Sequence, residues 1–173
     1  MNQSAEHTDL DDAVIVALGS DLPGPFASCV DLLEAALERF ADHGLTTVAR
    51  SGWWRSAAWP DPSKPPYVNG VVLVRTSLDP RETHRALQGL ENAFGRQRGE
   101  ANAPRTLDLD LIAFGRAVID TADLTLPHPR AHDRLFVMGP LSQVAPGWRH
   151  PISGGSAAVL AGSATVGRDA KPI

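Results

Sequence analysis

The segment 107-LDLDLIAFG-115 constrains the fold more than any other stretch, because it alternates leucine and aspartate at a period of two. Successive side chains of a β-strand point to opposite faces, so Leu107, Leu109 and Leu111 share one face while Asp108 and Asp110 share the other. A helical period of 3.6 would mix the two sets. The segment therefore reads as a strand with its leucines on a core. Two carboxylates on one face, with α-carbons roughly 6.5–7 Å apart, repel each other unless a cation or solvent stands between them. The ordinary account of such alternation is a half-exposed strand with a polar outer face. The sharper account is a cation site.

Other elements follow from similar patterns. Residues 13–19 (AVIVALG) form an apolar run closed by glycine, a buried strand. Residues 25–44 carry helical periodicity through Phe26, Val30, Leu33, Ala36, Leu37 and Phe40, ended by Gly44. Residues 45–56 are rich in β-branched and aromatic side chains and predict a second strand, and 67–77 a third. Between them, 57–66 (AAWPDPSKPP) is a proline-rich loop. Asp79-Pro80 opens a helix to about residue 95. A short strand near 117–119 and a short helix over 135–146 follow the aspartate strand. The order β-α-β-β-α-β predicts an α+β, ferredoxin-like antiparallel sheet with helices on one face and a C-terminal extension.

At 173 residues the chain is long enough for one domain with a single good core. We expect a tail at 1–12, one domain over 13–160 and a loosely held end at 161–173. A net charge of −4 provides no global field for nucleic acid or an anionic membrane, although a local arginine cluster could still hold a polyphosphate. Cys29 is the only cysteine, which excludes an intrachain disulfide. The polar, acidic start is unlike a signal peptide, and no apolar run reaches membrane-spanning length. The expectation is a cytoplasmic monomer without nucleic-acid or membrane partners.

Two polar segments flank the aspartate strand. Residues 95–105 (GRQRGEANAPR) hold Arg96, Arg98 and Arg105 in a glycine-containing loop, and residues 124–136 (LTLPHPRAHDRLF) hold His128, Arg134 and Phe136. Taken singly, these are a solvated loop, a packed histidine and a core aromatic. Together they have a chemical logic. Paired carboxylates suit Mg²⁺, a hard ion that keeps phosphates among its oxygen ligands. Arginines supply bidentate donors to phosphate. Phosphoryl-type transfer needs little beyond alignment and charge neutralisation. No Walker-type GxxxxGK[ST] or kinase glycine loop is present, so a nucleotide would need another cradle.

Across residues 13–152 the chain resembles the 6-hydroxymethyl-7,8-dihydropterin pyrophosphokinases of folate biosynthesis. The resemblance runs in order through ALGSDL, YVNGVV, LENAFGRQR, APRTLDLDLI and LTLPHPRAHDRLFV. It implies an ATP-dependent transferase that moves pyrophosphate from ATP to the pterin hydroxymethyl group and releases AMP. It implies that Asp108 and Asp110 hold two Mg²⁺ ions, and that Arg96 and Arg105 act with them in catalysis. Gln88, Glu91, Arg96, Arg98, Arg105, Thr125, His128 and Arg134 match the ATP-binding positions. Tyr67 and Phe136 match an aromatic pair that sandwiches the pterin, and Asn69 an amide at its edge. Backbone groups around Ser56, Ala57 and Trp59 complete that set.

Some positions depart from the family pattern. Ala101, Asn102 and Ala103 replace the usual arginine and tryptophan of the loop, Asp21 an asparagine, and Asp123 a basic residue. Altered ATP affinity is the expectation. Two other classes compete with the enzyme reading: a non-catalytic ferredoxin-like ligand-binding module, which needs no paired aspartates, and a metal-dependent phosphohydrolase, which needs a general base near the metal.

Overall fold

The computed structural model describes residues 10–58, 61–95 and 106–173. Its centre is β1 (Val14–Ser20), paired antiparallel with β4 (Tyr67–Arg75) on one side and β5 (Asp108–Phe114) on the other. A strand covered on both faces reads as a near-continuous apolar run, which accounts for AVIVALG. β2 (Thr46–Arg50) and β3 (Trp54–Ser56) share the outer edge of β4, and β8 (Lys171–Pro172) adds to β3. The strand expected over 45–56 is thus two strands. At the break, the Ser51 amide donates to Val71 O at 2.9 Å, while Ser51 Oγ accepts the Val71 amide at 2.9 Å. A side chain stands in for the backbone acceptor where the ladder is interrupted.

Two helices cover one face. α1 (Cys29–Glu38) begins at Ser28, whose Oγ accepts the Asp31 amide at 3.1 Å. α2 (Pro80–Ala93) begins with a reciprocal capping box between Asp79 and Glu82, with Pro80 in its first turn. Leu32, Leu33, Leu87 and Leu90 from these helices bury against Val16, Leu18, Val72, Leu109 and Leu111. The helix expected over 25–44 is shorter, because a 3₁₀ turn at Ala41–His43 and a left-handed Gly44 (φ 80°) end it. A small hairpin of β6 (Ile119–Asp120) and β7 (Thr125–Leu126) follows β5.

The C-terminal extension forms a layer on the opposite face. α3 (Leu135–Val144) and α4 (Ala157–Ser163) bring Val137, Met138, Leu141 and Ala157, with Trp148, against Ala13, Ile15, Ala17, Val71 and Ile112. A register shift in the β1–β5 pair, between Ile15 and Val16, turns both Ile112 and Ala113 toward this second core.

The end at 161–173, expected to be loosely held, makes the following contacts. Ala164 and Ala170 are buried, Lys171 and Pro172 pair with Arg55 and Trp54, and the Ile173 amide donates to Trp53 O at 3.0 Å. The exposed edge of β3 offers backbone groups that the composition of 161–173 does not advertise. Of the expected tail, residues 1–9 lie outside the described residues, and Leu10 packs against the second core.

Ser51→Ala should remove the side-chain acceptor of the buried Val71 amide, at a cost of about 1–3 kcal/mol. A denaturant melt checks this, with an unchanged midpoint as the contrary result.

Candidate active site

Leu107, Leu109 and Leu111 are 0%, 4% and 4% exposed in the helix-packed core, and Asp108 and Asp110 stand half-exposed on the other face of β5. Residues directly opposite one another on paired strands share a face, which carries the site across the sheet. Asp108 is opposite Gly19, Gly19 opposite Asn69, and Asn69 opposite Trp54. Tyr67, two residues before Asn69, shares its face and lies opposite the buried Ser56. Four strands thus place Asp108, Asp110, Asn69, Tyr67 and Ser56 on the face that α3 covers.

Gly19 permits this arrangement. A Cβ there would stand 2.7 Å from Asn69 Oδ1, so the Asn69 side chain lies directly over the glycine, on the side toward β5. Helix α3 meets the same strands closely, since a Cβ on Gly139 would fall 2.6 Å from the Trp54 ring. Phe136 lies one turn before Gly139 and packs against the second core. The Arg134 guanidinium carbon sits 5.6 Å from the Phe136 ring centroid, within cation–π range.

His128 is fastened to the aspartate strand, its amide donating to Ile112 O at 2.8 Å. Its Nδ1 accepts the Arg130 amide at 3.2 Å, so in the neutral ring the proton is on Nε2. Burial pushes its pKa down to about 4; Arg134 adds to the effect and Asp108 opposes it. His128, Arg134 and Asp108 therefore share one electrostatic neighbourhood. A neutral His128 offers an anion a hydrogen bond through Nε2–H rather than an ion pair.

The remaining positions differ. Gln88 and Glu91 lie on α2, which packs on the opposite face of the sheet. Glu91 is only 4% exposed, and its Oε2 accepts the Leu109 amide at 3.0 Å, between the two aspartates. This bond ties Glu91 of α2 to β5. Thr125 is half-buried in β7, opposite Asp120. Arg96, Arg98, Arg105 and Trp59, and the departures Ala101, Asn102 and Ala103, lie outside the described residues. Asp123 forms an exposed ion pair with Arg81 at 3.4 Å and accepts from Thr121 Oγ1 at 2.7 Å. Asp21 is 9% exposed. The sequence reading missed Gly19, Glu91 as a strand anchor, and Asp169, whose Oδ2 accepts the Ala57 amide at 2.6 Å. Only Gly19 had a local signal, as the glycine that ends an apolar run.

Asp108 and Asp110 provide hard oxygen donors on one face, and no group of three or more His, Cys, Asp or Glu able to hold a metal occurs among the described residues. Such a pair suits Mg²⁺, which commonly binds through one or two carboxylates and completes its shell with water and substrate phosphates.

An α+β sheet bearing paired carboxylates, a neutral histidine and an arginine on one face defines a class suited to phosphate chemistry. The sequence profile of the 7,8-dihydro-6-hydroxymethylpterin-pyrophosphokinase family matches residues 15–146. The chain belongs to this family. It is 43% identical over 141 residues to the 2-amino-4-hydroxy-6-hydroxymethyldihydropteridine pyrophosphokinase of Synechocystis sp., covering 81% of this chain and 70% of that one. The enzyme of the same name from Pseudomonas aeruginosa is 39% identical over 138 residues, covering 80% and 83%. The fold matches the HPPK-DHPS crystal structure from Plasmodium falciparum with a TM-score of 0.67 at 11% identity. That match spans 87% of this chain but only 44% of the Plasmodium chain. Among the described residues, no helix is long and apolar enough to cross a membrane.

Gly19→Ala should displace the Asn69 side chain and weaken binding of 6-hydroxymethylpterin more than binding of an ATP analogue. Paired calorimetric titrations check this, equal losses being the contrary result. His128 makes a second prediction. Because its folded pKa is depressed, below about pH 6.5 the unfolded chain takes up a proton that the folded chain refuses. Its share of stability therefore falls as pH drops from 6.5 toward about 4. His128→Gln should flatten the stability profile of the ligand-free protein over that window, as read from denaturant melts.

Proposed function

We propose that the chain transfers the pyrophosphoryl group of ATP to the hydroxymethyl oxygen of 6-hydroxymethyl-7,8-dihydropterin. A bond forms between that oxygen and the β-phosphorus, the bond from the β-phosphorus to the αβ-bridging oxygen breaks, and AMP leaves with that oxygen. The hydroxymethyl proton is lost. The observation that carries this reading is the shared sheet face of Asp108, Asp110, Asn69 and Tyr67 in a member of this family.

In this reading Asp108 and Asp110 hold two Mg²⁺ ions, which when bound neutralise and orient the ATP phosphates. His128 donates from Nε2–H and Arg134 adds positive charge, both toward phosphate oxygens. Arg96, Arg98 and Arg105 contribute further phosphate contacts, with Gln88 and Thr125 at the nucleotide. Glu91 acts indirectly, by fixing the backbone between the two aspartates. Tyr67 and Phe136 stack on the flat pterin, a geometry worth about 0.5–1.5 kcal/mol beyond area burial. Asn69, with backbone groups of Ser56, Ala57 and Trp59, reads its polar edge. The chain acts as a cytoplasmic monomer on these soluble substrates, without nucleic acid or membrane.

The test is incubation with ATP, Mg²⁺ and 6-hydroxymethyl-7,8-dihydropterin, with AMP measured. AMP formed only with all three supports the reading; release of phosphate without pterin would point to a phosphohydrolase, and no turnover to a binding module. Asp108→Asn and Asp110→Asn should each lose turnover by at least about 10²-fold while the chain still folds, since each removes a charge at constant size. Near-normal turnover in either variant would overturn the metal assignment.

A further inference from the structure

The C-terminal segment joins two of the elements that carry the proposed pterin contacts, the end of β3 and the start of α3. At one end, the Val166 amide donates to Asp133 O at 2.9 Å and the Leu135 amide donates to Val166 O at 2.9 Å, which fastens the segment to the start of α3. The adjoining Gly167 adopts a left-handed conformation (φ 69°), and a Cβ there would lie 2.5 Å from Phe136 Cδ1. At the other end, Lys171 and Pro172 pair with Arg55 and Trp54 of β3. Between them a turn, closed by the Ala170 amide on Gly167 O at 2.9 Å, sets Asp169 against the end of β3. There Asp169 Oδ2 accepts the Ala57 amide at 2.6 Å, a short bond to a carboxylate acceptor.

We propose that Asp169 is a positioning residue for pterin recognition, acting through the backbone at Ser56–Ala57. The inference rests on the pterin reading given above. The peptide bond between Ser56 and Ala57 is planar, so holding the Ala57 N–H toward Asp169 also fixes the direction of the Ser56 carbonyl. The Ala57 amide is engaged by the protein itself, which leaves carbonyls and later amides of this segment to face a ligand. Gly167 does the same for the opposite wall, where its missing side chain leaves room for the Phe136 ring. One segment thereby sets the separation between the β3 end and Phe136, elements about 80 positions apart in the chain. A recognition site ordered before the ligand arrives avoids the cost of ordering it on binding. Among the described residues, the proposed ATP contacts lie on β5, the 124–134 segment and α2, whereas the Asp169 carboxylate bonds the end of β3 at Ala57.

The experiment measures dissociation constants of 6-hydroxymethylpterin and of a non-hydrolysable ATP analogue with Mg²⁺, for the full chain, well below each variant's melting temperature. Asp169→Ala should weaken pterin binding about tenfold, the scale of one lost hydrogen bond to a charged group, and leave ATP-analogue binding within about twofold. Asp169→Asn, which keeps the size and one acceptor oxygen, should recover most of the loss and serves if the alanine variant does not fold. Gly167→Ala should reproduce the selective pterin loss from the other wall. A merely structural Asp169 would lower the melting temperature yet leave pterin affinity of the folded variant unchanged, and that result overturns the proposal, as does an equal loss for both ligands. Failure of the unmutated protein to bind 6-hydroxymethylpterin would instead overturn the pterin reading itself.

Discussion

Everything on the site face depends on the register of β1 between β4 and β5. That register sets Gly19 between Asp108 and Asn69, and Ala17 between Asp110 and Val71. A slip of one residue between β1 and β5 would send the aspartates into the leucine-lined core, where carboxylates are costly to bury. The leucines prevent that slip, because Leu107, Leu109 and Leu111 have an apolar partner on one face only. The energy that builds the core is the same energy that aims the carboxylates.

The two cores divide the labour. The larger, under α1 and α2, fixes the sheet and reaches the outer edge of β5 through Glu91, whose carboxylate holds the Leu109 amide. That bond occupies the strand edge between the two aspartates. The smaller core lies under α3 and α4, with Phe136 packed against it and Arg134 over the Phe136 ring. His128 joins the site by a backbone bond to Ile112, next to the bulge that turns β5 toward that second core. Its burial favours a neutral donor at a place where Arg134 already provides charge.

The departures from the family pattern also find places. Asp123 is paired with Arg81, so its negative charge has a partner at the protein surface. The C-terminal segment, which composition marks as loose, closes the sheet edge at β3 and meets Phe136 through a glycine.

Local pattern by itself determined the strand of aspartates, the capped start of α2, the buried run of β1 and the order of elements, because each rests on periodicity or capping chemistry within a few residues. It also determined the candidate residues of the site, since the motifs that carry the resemblance are short and ordered along the chain. Tertiary structure alone decided which residues meet. The split of residues 45–56 depends on Ser51 finding Val71, and the task of Glu91 on its reaching Leu109. The anchoring of residues 164–173 depends on an edge strand more than 100 positions earlier. Hydrogen bonds of that kind join groups that neither periodicity nor composition relates, and only a folded chain brings them within three ångströms or so of each other.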